Sequence, residues 1–293
     1  MDGSSSTVSE IFIGLIAPVG ADLDSVEEEI EAELKDFGYR TITVKLSKLL
    51  DDIKKMKYFK SVTHLKSGYG SEYERIKDYM KAGSGIRNET GQGDIMAMLA
   101  IAKIQKIREE EFRKVNNKSS IVLSKVAFIF KSLKHPDEVE TLRLVYREAF
   151  LCISACSQKK KRIEALASKI ASTENITNVD TCEPKARELI NIDESEENNK
   201  LGQDVSGAFP LADVFVNCSS RSKLKSELKR FFKALFSNPY VSPSIDEFMM
   251  YMAYGAALRS ADLARQVGAV ISTDSGDVIS VGSKIWWWTI LGI

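Results

Sequence analysis

The sequence has few of the side chains that bind zinc or act as nucleophiles. Among 293 residues there are two histidines and four cysteines. The cysteines form no C-x-x-C pair, and neither His64 nor His135 belongs to an H-x-E motif. Zinc sites in proteins are built mainly from such ligands, so we expect no metal site in this chain. Four scattered cysteines also indicate reduced thiols rather than disulfides.

An excess of charge of one sign and long apolar runs are lacking as well. The 41 basic residues equal the 41 acidic ones, so no global field attracts nucleic acid or an anionic membrane. No apolar run approaches the length that crosses a bilayer, and the polar start from Met1 to Glu10 does not resemble a signal peptide. These absences predict a cytoplasmic protein without membrane contact, in which local groups must hold any anionic ligand.

Short apolar runs alternate with amphipathic stretches between residues 8 and 237, a pattern typical of a parallel α/β sheet with helices on both faces. The glycine-rich stretch Gly83–Gly93 is predicted to break a helical region as a mobile or ligand-covering segment. Asp193–Lys200 is predicted to be an acidic surface loop. The predicted strands are Ile11–Ile16, Tyr39–Leu46, Lys125–Phe130, Phe150–Ala155 and Asp213–Val216, and the predicted helices include Leu23–Phe37, Lys159–Ile170, Glu183–Ile190 and Arg221–Phe236.

A second unit is predicted for residues 244–284, after the proline-containing boundary Asn238–Pro243. Ser244 and Glu247 have the spacing of a capping box at the start of a helix. Phe248–Leu258 is apolar almost throughout, which predicts a helix buried on several sides. Two β-branched runs flank Asp274–Asp277 and predict a hairpin; these runs are Val267–Ser272 and Val278–Val281.

The loop after the first predicted strand has the position of a phosphate-binding loop but not its residues. In the pattern G-x-x-x-x-G-K-[ST], backbone N–H groups and a lysine hold the phosphates. Aligning the second glycine with Gly20 places Ala21 at the lysine and Asp22 at the hydroxyl residue. We therefore describe Gly14, Gly20, Ala21 and Asp22 as a degenerate phosphate loop and expect weak ATP binding or none.

Two stretches resemble known families. Ala212–Asn217 and Leu224–Phe232 are similar to the last strand and helix of P-loop nucleoside and nucleotide kinases. Arg259–Asp262, followed by Val267–Ile271 and the hairpin, resembles the opening of the cytidine and deoxycytidylate deaminase fold. Together with Lys131–Glu138 and Leu201–Val205, this combination resembles the bacterial anti-phage deoxycytidylate deaminases over about residues 8 to 284.

The resemblance implies zinc-dependent hydrolytic deamination of dCMP or dCTP to dUMP or dUTP in antiviral defence, by a homo-oligomer when the protein is intact. Zinc is the cofactor expected in the intact family and a deoxycytidine nucleotide its ligand. The H-x-E and P-C-x-x-C motifs that carry this chemistry are absent here, so we expect this chain to be inactive alone. The resemblance stops at Ser283, and residues 285–293 are interpreted as an aberrant tail from a shifted reading frame or a truncation. Within the resemblance, Ser260, Asp262 and Arg265 either line a nucleotide pocket or only hold a turn.

Two other functions remain open. A kinase-like enzyme would use Gly83–Gly93 as a lid and Arg87 as a phosphate ligand. A regulatory module would instead sense a nucleotide, an RNA or a protein through the basic positions of Lys159–Arg162 and Arg221–Lys233. Bound zinc would indicate the deaminase, and ATP turnover would indicate the kinase. If neither is found, the binding module is the remaining interpretation.

Overall fold

The computed structural model of the chain describes residues 10–115, 122–196, 199–263 and 265–284. The chain divides into two compact units, residues 1–232 and 233–293. The tail 285–293 lies outside the described residues, so its interpretation stays a prediction.

The first unit is built on a five-stranded sheet in which every neighbouring pair is parallel. The strand order is β2-β3-β1-β4-β5, with β1 at the centre. The predicted fold class, an α/β sheet flanked by helices, is confirmed. The strands are β1 Ile11–Ile16, β2 Arg40–Lys45, β3 Val126–Leu133, β4 Phe150–Cys156 and β5 Val214–Asn217. The helices are α1 Leu23–Asp36, α2 Leu46–Met56, α3 Glu72–Thr90, α4 Ile95–Val115, α5 Pro136–Tyr146, α6 Lys159–Glu174, α7 Glu183–Glu194, α8 Val205–Ala208 and α9 Arg221–Leu235.

The central strands are apolar on both faces, as parallel strands between two helix layers must be. On one face the Phe12 ring stacks on Phe128, with ring centroids 5.6 Å apart. Side chains on the other face of the sheet, among them Ile13 and Ile129, are fully buried too. This double burial explains why the sequence shows compact apolar runs instead of an alternating pattern.

Two predictions of non-helical structure are wrong: a break at Gly83–Gly93 within residues 83–90, and a loop that begins at Asp193. Helix α3 continues through Gly83 to Thr90 without a break, because Ala82 and Ile86 are fully buried there. Such packing outweighs the helix cost of a glycine, about 1 kcal/mol. Helix α7 likewise runs past Ile190 to Glu194. Asp193 is therefore a fully buried helical residue and not part of a surface loop.

Among the described residues of the second unit, a helix and an antiparallel hairpin follow the end of α9. Helix α10 spans Ile245–Ala257, and the predicted capping box between Ser244 and Glu247 is confirmed. The predicted hairpin is confirmed too, as β6 Gly268–Ser272 and β7 Val278–Ser283.

The expected burial of α10 on several sides is wrong. Only Met249 and Ala256 are buried, whereas Met250 and Tyr251 remain 69% and 71% exposed. A two-stranded hairpin is only large enough to cover one side of the helix that packs on it, so the other apolar side chains stay exposed.

None of the helices in the described part of the chain is both long and apolar enough to cross a membrane.

Candidate functional site

A cavity of about 250 Å³ lies beside the carboxyl ends of β1, β2 and β3. In open parallel sheets ligands bind at this edge, where successive strands connect in opposite directions. Helix α3 forms one wall, since its lining residues recur every three or four positions and so share one face. These α3 residues are Glu72, Arg75, Ile76, Tyr79, Met80, Gly83 and Arg87.

The loop between β1 and α1 forms part of the opposite wall. Gly20 has a φ of 85°, in the region that glycine adopts without strain. A Cβ at this position would lie 2.6 Å from the backbone oxygen of Arg162, so any larger residue would displace the loop from α6. Gly14, the other glycine of the predicted phosphate loop, lies within β1 between Phe130 and Cys152 of the neighbouring strands.

Two carboxylates take the positions where such a loop would meet an anion. Asp22 caps α1, because its Oδ1 accepts a hydrogen bond from the Ser25 amide at 3.1 Å. The Val19 amide donates to Oδ2 of Asp193 at 2.6 Å. Lys134 then holds Asp193, with its ammonium 2.8 Å from Oδ1 and 2.8 Å from the backbone oxygen of Ala17. The Asp193 carboxylate therefore takes the place of a ligand anion at the Val19 amide.

Five basic and three acidic side chains line the cavity, and three ion pairs account for all of the acids. Arg75 binds Glu72 through two hydrogen bonds of 2.6 and 2.7 Å. The other two pairs are Arg87 with Glu138 and Lys134 with Asp193. The remaining bases are Lys45 and Lys169, which form no ion pair or hydrogen bond within the described residues. Asp24 attracts both ammonium groups, so the wall keeps two positive charges that are held by no direct contact.

The half-buried Lys45 ammonium lies at the carboxyl end of β2. Burial first, and then repulsion by Lys131, lowers the pKa of Lys45 below its ordinary value of 10.5. Attraction by Asp24 opposes this effect and repulsion by Arg75 adds to it. A charge that is poorly solvated and repelled by neighbouring cations is well suited to binding an anion.

Arg87, the expected phosphate ligand of a mobile lid, is instead 2% exposed and rigidly held in α3. Its Nη2 donates to Glu138 Oε1 at 2.6 Å. The second oxygen of Glu138 accepts hydrogen bonds from the Lys134 and His135 amides. His135 caps α5 together with Glu138.

The two predicted basic surfaces are partly neutralised. Arg162 is 6% exposed and donates to Glu194 at 3.0 Å. Arg221 donates to Glu28 at 2.7 Å and to Glu29 at 3.2 Å. These pairs leave fewer free cations on α6 and α9 than their sequences indicate.

The three candidate residues of the second unit surround the turn after α10. Ser260 donates its hydroxyl to the Lys284 backbone oxygen at 2.7 Å. Asp262 is buried, forms an ion pair with Lys284, and accepts from the Arg265 amide at 3.4 Å. These contacts connect the turn to the end of β7, and the choice between a pocket and a turn role stays a prediction.

The zinc expected for the intact deaminase family does not fit the described residues. Within residues 10–115, 122–196, 199–263 and 265–284, no group of three His, Cys, Asp or Glu side chains is arranged to hold a metal ion.

Gln203 also lines the cavity, and its amide nitrogen donates to the Met80 backbone oxygen at 3.3 Å. The sequence assigned no role in a site to Asp193, Lys45 or Gln203. The signal for Asp193 was present, because Ala186, Leu189, Ile190 and Asp193 share the helical spacing of a buried face. No comparable sequence signal marked Lys45 or Gln203.

No protein-family model matches the chain, and a comparison with curated proteins found no match. Solved structures that match it include an uncharacterized protein from Eubacterium ventriosum, with 10% identity and a TM-score of 0.38 over 78% of this chain and 99% of that one. A gluconokinase from Sinorhizobium meliloti matches with 12% identity and a TM-score of 0.32 over 77% of this chain and 95% of that one. Scores of this size carry no functional argument.

Proposed function

We propose that the first unit binds a small nucleotide, of nucleoside monophosphate size, in the cavity along α3 and does not transfer phosphoryl groups. The observation that carries this proposal is the distribution of charge. Asp193 already accepts the hydrogen bond of the Val19 amide in the β1–α1 loop, whereas Lys45 lines the same cavity and forms no direct ion pair within the described residues. A ligand phosphate is therefore expected at Lys45 and not at the loop.

The size and lining of the cavity support the same ligand class. Pockets for drug-sized ligands measure roughly 300–1,000 Å³, so a cavity of about 250 Å³ favours one base, one sugar and one phosphate over a dinucleotide. The wall also offers apolar side chains for a base or sugar, among them Leu46, Leu50, Met80, Met96 and Leu166.

Titration calorimetry of the full chain with CMP, dCMP, UMP, AMP and ATP tests the proposal. We expect at least one monophosphate to bind more tightly than ATP. The Lys45→Met variant should bind it about 10- to 100-fold more weakly, because a hydrogen bond to a charged group contributes about 1.5–3 kcal/mol.

Lys81→Met is the matched control, since Lys81 is exposed and does not line the cavity. It removes the same charge outside the cavity and should leave the affinity unchanged. Wild-type protein that binds none of these ligands, or a Lys45→Met variant that binds as tightly as wild type, would contradict the proposal.

A regulatory role in a larger system is compatible with such a binding module. The deaminase interpretation of the second unit, with its zinc, its cytosine nucleotide and its role in phage defence, rests on the sequence resemblance alone and stays a hypothesis. The cytoplasmic location and the homo-oligomer also stay predictions.

A further inference from the structure

Three buried polar atoms on the cavity wall have no hydrogen-bond partner in the described residues. One, Oδ1 of Asp193, lies 2.8 Å from the Lys134 ammonium. The other two are Nε of Arg87, a donor, and Oε1 of Gln203, an acceptor. Both side chains line the cavity, and they are 2% and 4% exposed. Buried polar groups without a partner are rare and costly in folded proteins, so each requires an explanation.

Neither atom can find a partner by a simple rotation of its side chain. Arg87 is fixed by Glu138 at 2.6 Å and by the Gly202 backbone oxygen at 3.4 Å. The amide nitrogen of Gln203 donates to the Met80 backbone oxygen at 3.3 Å. Exchanging the nitrogen and oxygen of that amide would point two acceptors at each other, so the Met80 carbonyl determines that the oxygen is the free atom.

The two side chains meet at one point on α3. A Cβ on Gly83 would lie 3.3 Å from Nε2 of Gln203 and 3.9 Å from Nη1 of Arg87. The absence of a side chain at Gly83 therefore lets both groups approach the helix side by side. The unpartnered donor and the unpartnered acceptor belong to these two neighbouring groups, a pair that a ligand edge carrying one acceptor and one donor can match.

The geometry points to Gln203 and Arg87 as the subsite for a nucleobase, whose edge presents a ring acceptor beside an N–H donor. This inference rests on the proposed function, because it assigns one end of the same ligand. Cytosine and adenine carry such an edge, uracil presents a carbonyl oxygen beside its ring N–H instead, and the small cavity favours a pyrimidine. A carboxylate lacks the donor and an alkylammonium lacks the acceptor, so neither satisfies both atoms.

A comparison of UMP, CMP and ribose 5-phosphate, which has the phosphate but no base, tests the subsite by calorimetry. Wild-type protein should bind a pyrimidine monophosphate at least tenfold more tightly than ribose 5-phosphate. Gln203→Met should reduce this preference to less than threefold while leaving the affinity for ribose 5-phosphate unchanged. Gly83→Ala, which crowds Gln203 without removing it, should reduce the preference in the same direction.

Gln158→Met is the control, because Gln158 is exposed and makes no side-chain cap contact. Thermal unfolding of each variant verifies that it is folded. Equal affinity of wild type for ribose 5-phosphate and both nucleotides, weakened by Lys45→Met, would overturn the base subsite but leave the phosphate site intact. Absence of binding by all three ligands would overturn the proposed function together with this inference. A Gln203→Met variant that keeps the full preference would overturn the assignment to Gln203.

Discussion

Replacing Asp193 by asparagine should destabilise the first unit, because the change leaves Lys134 without its counter-ion. Removing one partner of a buried ion pair costs about 3–5 kcal/mol. The Lys134 side chain is 20% exposed and keeps its hydrogen bond to Ala17, so the lower end applies, about 3 kcal/mol. For a unit of this size each kcal/mol shifts Tm by about 2–4 °C. We therefore expect a fall of about 6–12 °C.

Urea and thermal unfolding of the full chain measure this effect, with Asp180→Asn as control because Asp180 is an exposed aspartate. The control should change stability by less than about 0.5 kcal/mol. A double-mutant cycle with Lys134→Met and Asp193→Leu isolates the pair.

The double variant of this cycle should be less destabilised than the two single variants together, since replacing both charges by apolar groups removes the uncompensated one. It should still lose about 1 kcal/mol for the Val19 amide, which has no acceptor then. The reasoning is refuted if Asp193→Asn unfolds like the wild type, or if the two single effects simply add.

Four further outcomes follow from the structure. ATP should bind weakly, and the double variant Ala21→Lys, Asp22→Ser should bind it no better, because the buried Asp193 carboxylate still accepts the hydrogen bond of the Val19 amide. Micromolar ATP binding by this variant in calorimetry would contradict the role given to Asp193. Because the pKa of Lys45 lies below 10.5, anion affinity should decrease as pH rises through that lowered value, whereas Lys45→Arg should keep its affinity over the same range. Met250→Lys with Tyr251→Lys should reduce concentration-dependent association in sedimentation velocity, since exposed apolar patches promote it, and wild-type protein that stays monomeric would argue against this. The purified chain should hold less than stoichiometric zinc and release no ammonia from dCMP or dCTP, and one zinc per chain with deamination would be the opposite result.

The strands could be predicted closely from the sequence, whereas the site could not. Ile11–Ile16 is predicted and observed with the same bounds, because a strand buried on both faces must be a short run of apolar residues. The cavity depends on residues far apart in sequence, such as Lys45 and Gln203, and only tertiary packing brings them to one wall. Local pattern also misjudged α3, where its glycines suggested a break that burial of the helix overrides.

The order of charges along α3 gives the proposed ligand a direction. Arg75 and Gly83 are eight residues apart, which corresponds to about 12 Å along a helix axis. The first repels the Lys45 ammonium, which forms no direct ion pair within the described residues. The second lies where Gln203 offers an uncharged acceptor and where the charge of Arg87 is already paired with Glu138. A phosphate gains most at the first end, since a charge-assisted hydrogen bond is roughly twice as strong as a neutral one. At the second end it would meet Glu138 and the acceptor oxygen of Gln203, so repulsion there excludes the reversed orientation. The β1–α1 loop, already holding the Asp193 carboxylate, then forms a wall of the cavity and not its phosphate site.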